Sequence, residues 1–132
     1  MNTILDSLRK KGFRNTFIRK AILEILSESK EPLTYEDFKK KIKANKSTVY
    51  RELSFLGAQG IIKELHFNGG AARYEMTLRD HHHHIVCVEC NTIDHVEIKE
   101  DLKREEERIS KNKKFKILQH TLDFYGLCAQ CQ

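Results

Sequence analysis

Two cysteine pairs, Cys87-Val88-Glu89-Cys90 and Cys128-Ala129-Gln130-Cys131, stand 37 residues apart and contain all four cysteines of the 132-residue chain. Thiolates are soft ligands, and two C-x-x-C pairs brought together by the intervening fold supply the tetrahedral sulfur set of a closed zinc site. The N-terminus lacks the apolar core of a secretory signal, so a metal site is expected rather than disulfides or redox cysteines. A closed site leaves no open coordination position. Its expected role is structural, with the fold held around the ion.

A second constellation is made of imidazoles. His81, His82, His83 and His84 are consecutive and run toward Cys87. If they enter a strand, alternation sends His81 and His83 to one face and His82 and His84 to the other, so one tetrad seeds two sites. Glu75 and His95 are candidate co-ligands for His82 and His84. His120 and a carboxylate of a charged helix are candidates for His81 and His83. Such nitrogen and oxygen donors suit Zn(II), Fe(II), Mn(II) or Ni(II), and spacing does not choose among them. The isolated His66 reads as a surface residue.

Ordinary elements must position these groups. Thr16 can cap a helix whose Ile18, Ala21, Ile22, Ile25 and Leu26 share one face. Glu31-Pro32-Leu33 breaks it. Thr34, with Asp37 three residues on, starts a second helix with Phe38 and Ile42 inward. A third begins near Ser47, buries Val49, Leu53 and Leu56, and ends at Gly60. Ile61 to Phe67 and Ala72 to Met76 flank Asn68-Gly69-Gly70 as a hairpin. Helix, turn, helix, hairpin is the order of a winged helix-turn-helix. Beyond Asp80, short strands are expected at His84–Cys87 and Thr92–Val96, a charged helix at Lys99–Lys111 and a strand at Lys116–Tyr125.

Charge separates the two halves. Residues 1–79 carry 16 Lys/Arg against 9 Asp/Glu, a net +7, while residues 80–132 carry 8 against 10, a net −2. A polyanion would be drawn to the first half only. At the third helix, Ser47 and Thr48 suit phosphate contacts, Tyr50 offers a ring to thymine methyls, and Arg51 can fork onto guanine or phosphate. Lys11 and Arg14 lie where a groove or backbone would pass, and Arg19 is expected to hold a phosphate.

These segments together resemble the ferric uptake regulator superfamily. The resemblance runs in order through Ser47-Thr48-Val49-Tyr50-Arg51, Gly69-Gly70, Tyr74-Glu75, His81 to Cys90, and His120 with Tyr125 to Cys131. It implies an α+β chain: a winged helix-turn-helix DNA-binding domain over residues 1–78, then a small α/β metal-binding dimerisation domain over 79–132. It implies a homodimer on a palindromic operator in double-stranded DNA, a repressor of metal-uptake or homeostasis genes, with no organic cofactor. No apolar run is long enough to cross a bilayer and no secretory signal is present, so a cytoplasmic location and no membrane are expected. Carried over by position, structural zinc falls on Cys87, Cys90, Cys128 and Cys131. A regulatory site falls on Glu75, His82 and His84, with His95 where an acidic ligand is common. An additional site falls on His81, His83 and His120, where Asp101, Glu100 or Glu105 must replace the helix carboxylate that here is Leu102-Lys103. The histidine often found before the second long helix is Pro32 here, and His66 or Glu64 of the wing are substitutes. Regulatory Zn(II) or Fe(II) is implied, with Mn(II) a third choice.

Four rivals have distinct signatures. Glu75, where peroxide sensors of the superfamily typically carry Asp, argues against that branch. A zinc deaminase needs H-x-E followed by P-C-x-x-C; His95-Val96-Glu97 supplies the first part, but Leu127 stands where the proline belongs. A zinc hydrolase would need an open zinc position with a general base. A metal-storage module would bind no DNA.

Overall fold

The computed structural model describes residues 2–67, 69–77, 82–98 and 102–132. The chain divides into two units, Met1–Arg79 and Asp80–Gln132. Among the described residues, no helix is long and apolar enough to cross a membrane.

The first unit follows the apolar periodicity of its sequence. Helix α1 (Asn2–Lys10) precedes α2 (Phe17–Glu28), where the Thr16 hydroxyl accepts the Arg19 backbone N–H and caps the helix. Strand β1 (Leu33–Thr34) leads directly into α3 (Tyr35–Lys39), closed by a reciprocal capping box between Thr34 and Asp37. Helix α4 (Lys46–Ala58) comes next, and Gly60, at φ +74°, turns the chain out of it. Strands β2 (Ile62–Leu65) and β3 (Arg73–Met76) pair antiparallel, from Ile62 opposite Met76 to Leu65 opposite Arg73. The sequence did not announce β1, which adds to the free edge of β3 and gives the sheet order β1-β3-β2.

Leu8, Ile22, Leu23, Leu26, Phe38, Val49, Leu53 and Leu56 are each at most 2% exposed and form one core. Full burial of such a side chain contributes about 1.5–3 kcal/mol. The same packing fixes which face of α4 is left outside.

The second unit is a small sheet. Strand β4 (His83–Cys87) lies in the middle, antiparallel to β5 (Ile93–Val96) and parallel to β6 (Asp123–Gly126). A parallel pair needs a crossover, and α5 (Lys103–Lys113) lies within it. The fold is thus α+β, with two corrections to the expected elements. The last strand is four residues long instead of running from Lys116. Its sequence alternates, but alternation makes a strand only where a ladder partner exists, and β4 offers partners only from His84 onward. The charged helix begins at Lys103 and ends at Lys113, where Lys114 takes a left-handed conformation at φ 52°.

Candidate metal centres and nucleic-acid interface

The cysteine cluster is built by strand register. Cys87 ends β4 and sits opposite Gly126, the end of β6, so the parallel pairing delivers Cys128 to Cys87. The Cys128 N–H lies 3.4 Å from Cys87 Sγ. Left-handed Asn91 (φ 60°) folds the first knuckle back, its N–H donating to the Cys87 carbonyl at 2.9 Å. The second knuckle closes through the Cys131 N–H and Cys128 carbonyl at 3.0 Å.

All four Sγ atoms lie within 4.8 Å of one another, and Cys90 and Cys128 sulfurs are 3.8 Å apart. Two sulfurs on one tetrahedral zinc stand about 3.8 Å apart, given Zn–S bonds near 2.3 Å. The donor set therefore fits zinc. Backbone N–H groups of Cys90 and Cys128 bring the Cys87 thiol down to about 6. The Cys128 sulfur, with burial behind it, pushes Cys131 up to about 12. Thr92, whose hydroxyl lies 3.0 Å from Cys90 Sγ, lowers the Cys90 thiol.

Alternation along β4 splits the histidines. On one side His82 Nε2 and His84 Nε2 lie 3.1 Å apart, and the His95 ring centroid is 5.7 Å from that of His82. His95 is placed by pairing, opposite His84 across β4–β5. Two imidazole nitrogens on one tetrahedral zinc stand about 3.3 Å apart at the usual Zn–N length. The His82–His84 separation fits that, and imidazole nitrogen suits zinc and iron alike.

On the other side, buried His83 stacks on His120 with centroids 5.6 Å apart, and His120 Nδ1 contacts Glu106 Oε1. Glu106 is thus the helix carboxylate that the structure places on His120. Glu105 instead pairs with Arg108 at 2.7 Å on an exposed face. Asp101, Glu100 and His81 lie outside the described residues. Neighbouring Glu105 and Glu106 point about 100° apart on the helix, and only the packing of α5 against His120 shows which of them faces the histidines.

In the first unit Glu75 is 2% exposed on β3, with Lys63 Nζ 3.8 Å away across the β2–β3 pair. His66, just past the end of β2, is exposed and lies 3.3 Å from Glu64 of that strand. Pro32 is buried, and its carbonyl accepts from Arg73 at 3.4 Å.

The exposed face of α4 carries Ser47, Tyr50 and Arg51, with Thr48 half-buried. Tyr50 stacks on Tyr35 with centroids 5.0 Å apart, and Lys46 Nζ lies 5.5 and 5.8 Å from the Tyr35 and Tyr50 rings. Sequence reading missed Tyr35, which comes from a different helix. Lys11 and Arg14 are exposed before α2.

Arg19 requires correction. It is 8% exposed and forks onto Glu52 of α4, Nε to Oε2 at 3.0 Å and Nη2 to Oε1 at 2.9 Å. It also donates to the Arg14 carbonyl and lies 4.1 Å from the Phe55 ring centroid. Its donors are engaged inside the unit, so it braces the helices instead of holding a phosphate.

A winged four-helix unit with an exposed cationic–aromatic helix face, followed by a thiolate- and imidazole-rich sheet, defines a metal-binding protein of the winged-helix class. The ferric uptake regulator family model matches residues 10–125, and the chain belongs to that family. It is 34% identical to the ferric uptake regulation protein of Bacillus subtilis (strain 168), over 99% of this chain and 93% of that one. Among solved structures it is similar to the Helicobacter pylori ferric uptake regulator, described as having three functional metal-binding sites (TM-score 0.82, 26% identity, 98% and 89% of the two chains). It is also similar to a zinc-bound manganese uptake regulator (TM-score 0.69, 30% identity, 94% and 98%). Proteins of this family are transcription regulators, not enzymes.

Proposed function

We propose that this protein is a metal-gated transcriptional repressor of metal-uptake or homeostasis genes, acting as a homodimer on a palindromic operator. Residues 1–78 form the reading head and residues 79–132 the metal-binding dimerisation domain. Tyr50 and Arg51 read base edges in the major groove, with Ser47, Thr48, Lys11 and Arg14 on phosphates. The exposed apolar residues Phe124, Tyr125 and Leu127 of the second unit pair with a second copy.

The observation that carries this reading is the 3.1 Å approach of the His82 and His84 Nε2 atoms, in the same chain as an exposed reading helix. His82 and His84 hold the regulatory ion through those atoms, with His95 and the carboxylate of Glu75 completing its shell. The bound ion, Zn(II) or Fe(II) before Mn(II), supplies a link between donors from distant parts of the chain. Four thiolates at Cys87, Cys90, Cys128 and Cys131 hold structural zinc. An additional site uses His83, His120 and Glu106, with His81 as its fourth donor.

The test is operator binding by the zinc-structured protein, titrated separately with Zn(II), Fe(II) and Mn(II). The sensed ion raises affinity at the lowest concentration. Equal binding with and without added metal would refute metal gating.

A further inference from the structure

The β4–β6 pairing sets a carboxylate behind one of the proposed ligands. His84 and Asp123 are direct partners in the parallel ladder, so their side chains leave the same face of the sheet. Asp123 Oδ1 lies 3.5 Å from His84 Nδ1, while His84 Nε2 is turned toward His82. The carboxylate therefore stands at the ring nitrogen that does not face the neighbouring imidazole. The His84 side chain is 8% exposed and that of Asp123 24%, which limits competition from water. The separation is a few tenths of an ångström beyond a good N–H···O bond.

We propose that Asp123 is a positioning residue for the regulatory metal, acting through His84. This rests on the reading that His82 and His84 bind that metal. The Asp123 carboxylate accepts the His84 Nδ1–H, which fixes the proton on Nδ1 and leaves the Nε2 lone pair for the ion. It also holds the ring in the plane that aims Nε2 at the His82 side, and it raises the basicity of the donor. The cysteine cluster sustains this arrangement, because the same ladder that pairs Cys87 with Gly126 pairs His84 with Asp123. Only two residues of β4, Ile85 and Val86, separate the structural and regulatory donors, so a register slip at one end would take Asp123 away from His84 at the other.

The experiment uses the whole 132-residue chain carrying its structural zinc, with Co(II) as an absorbing probe and Zn(II) measured by chelator competition. Asp123→Ala is expected to weaken both ions at the regulatory site about 10–100-fold, the range for loss of an outer-shell partner. It should leave one tightly held zinc per chain and the unfolding midpoint unchanged. Asp123→Asn, whose amide oxygen still accepts the bond but carries no charge, should fall between. Nitrogen-15 spectra of the imidazoles should show His84 protonated at Nδ1 in the wild-type zinc form and lose that preference in Asp123→Ala. His84→Ala is the control. If His84→Ala abolishes binding while Asp123→Ala keeps wild-type affinity and tautomer, the positioning role is refuted and the site survives. If His82→Ala and His84→Ala both bind as wild type, the site itself is wrong and the proposal falls with it.

Discussion

At the scale of single residues, the four cysteines differ enough to be told apart experimentally. Cys90 is exposed with a lowered thiol, and Cys131 is half-buried and pushed up to about 12. Thiolate is the reactive form, so in reduced, metal-free protein at neutral pH alkylation should mark Cys90 before Cys131. Peptide mass mapping over time checks the order, and labelling of Cys131 first would contradict the geometry. With zinc bound all four should be protected. Binding must displace the Cys131 proton, so zinc affinity should fall as pH falls. For the metal-free fold the lowered Cys87 thiol works in the same direction. Its thiolate stabilises the fold above the ordinary thiol range, and that stabilisation is lost as pH falls through about 6. On the reading helix, Arg51→Ala should weaken operator binding by about 1–3 kcal/mol without loss of zinc. A matched titration on specific and scrambled duplexes measures it, and an unchanged specificity ratio would remove Arg51 from base reading.

At the scale of elements, the helices of the first unit were legible because their apolar residues recur at helical spacing and their ends carry caps. Thr16 and Thr34 did what their types foretold. Partnership across the chain was not legible. Arg19 looked like a phosphate ligand because charge in a sequence carries no burial, and only the packing of α2 on α4 shows it on Glu52. The strand at Lys116–Tyr125 was overextended because alternation is local and its ladder partner is not. Asp123 was passed over for the same reason, since it meets His84 from 39 positions away. The Arg19–Glu52 pair gives this scale its test. Its side chains are 9% and 15% exposed, so removing one partner leaves a largely buried charge. Breaking such a pair costs about 3 kcal/mol or more. Glu52→Gln should therefore lower the denaturant midpoint while leaving the metal content of the second unit intact. An unchanged midpoint would mean that the brace contributes little.

At the scale of the whole molecule, the proposed function requires that metal captured by imidazoles of the acidic half alter how the basic half grips a duplex. The charge split makes the two contributions separable. Contacts to phosphate release counterions, so operator affinity should fall steeply with salt whether or not the regulatory ion is bound. The metal effect is a coupling free energy, typically 5–150-fold in affinity, and it is reciprocal. If Zn(II) or Fe(II) raises operator affinity by a given factor, operator DNA must raise affinity for that ion by the same factor. Measuring both sides at one salt concentration on one preparation closes the cycle. His82→Ala should collapse both factors toward one while the salt slope stays as in wild type, because the phosphate contacts proposed above lie on α4 and its neighbours. A His82→Ala protein that keeps its metal dependence would place the sensing site elsewhere. One that loses the salt slope as well would show that this histidine supports the fold of the reading head and not its regulation.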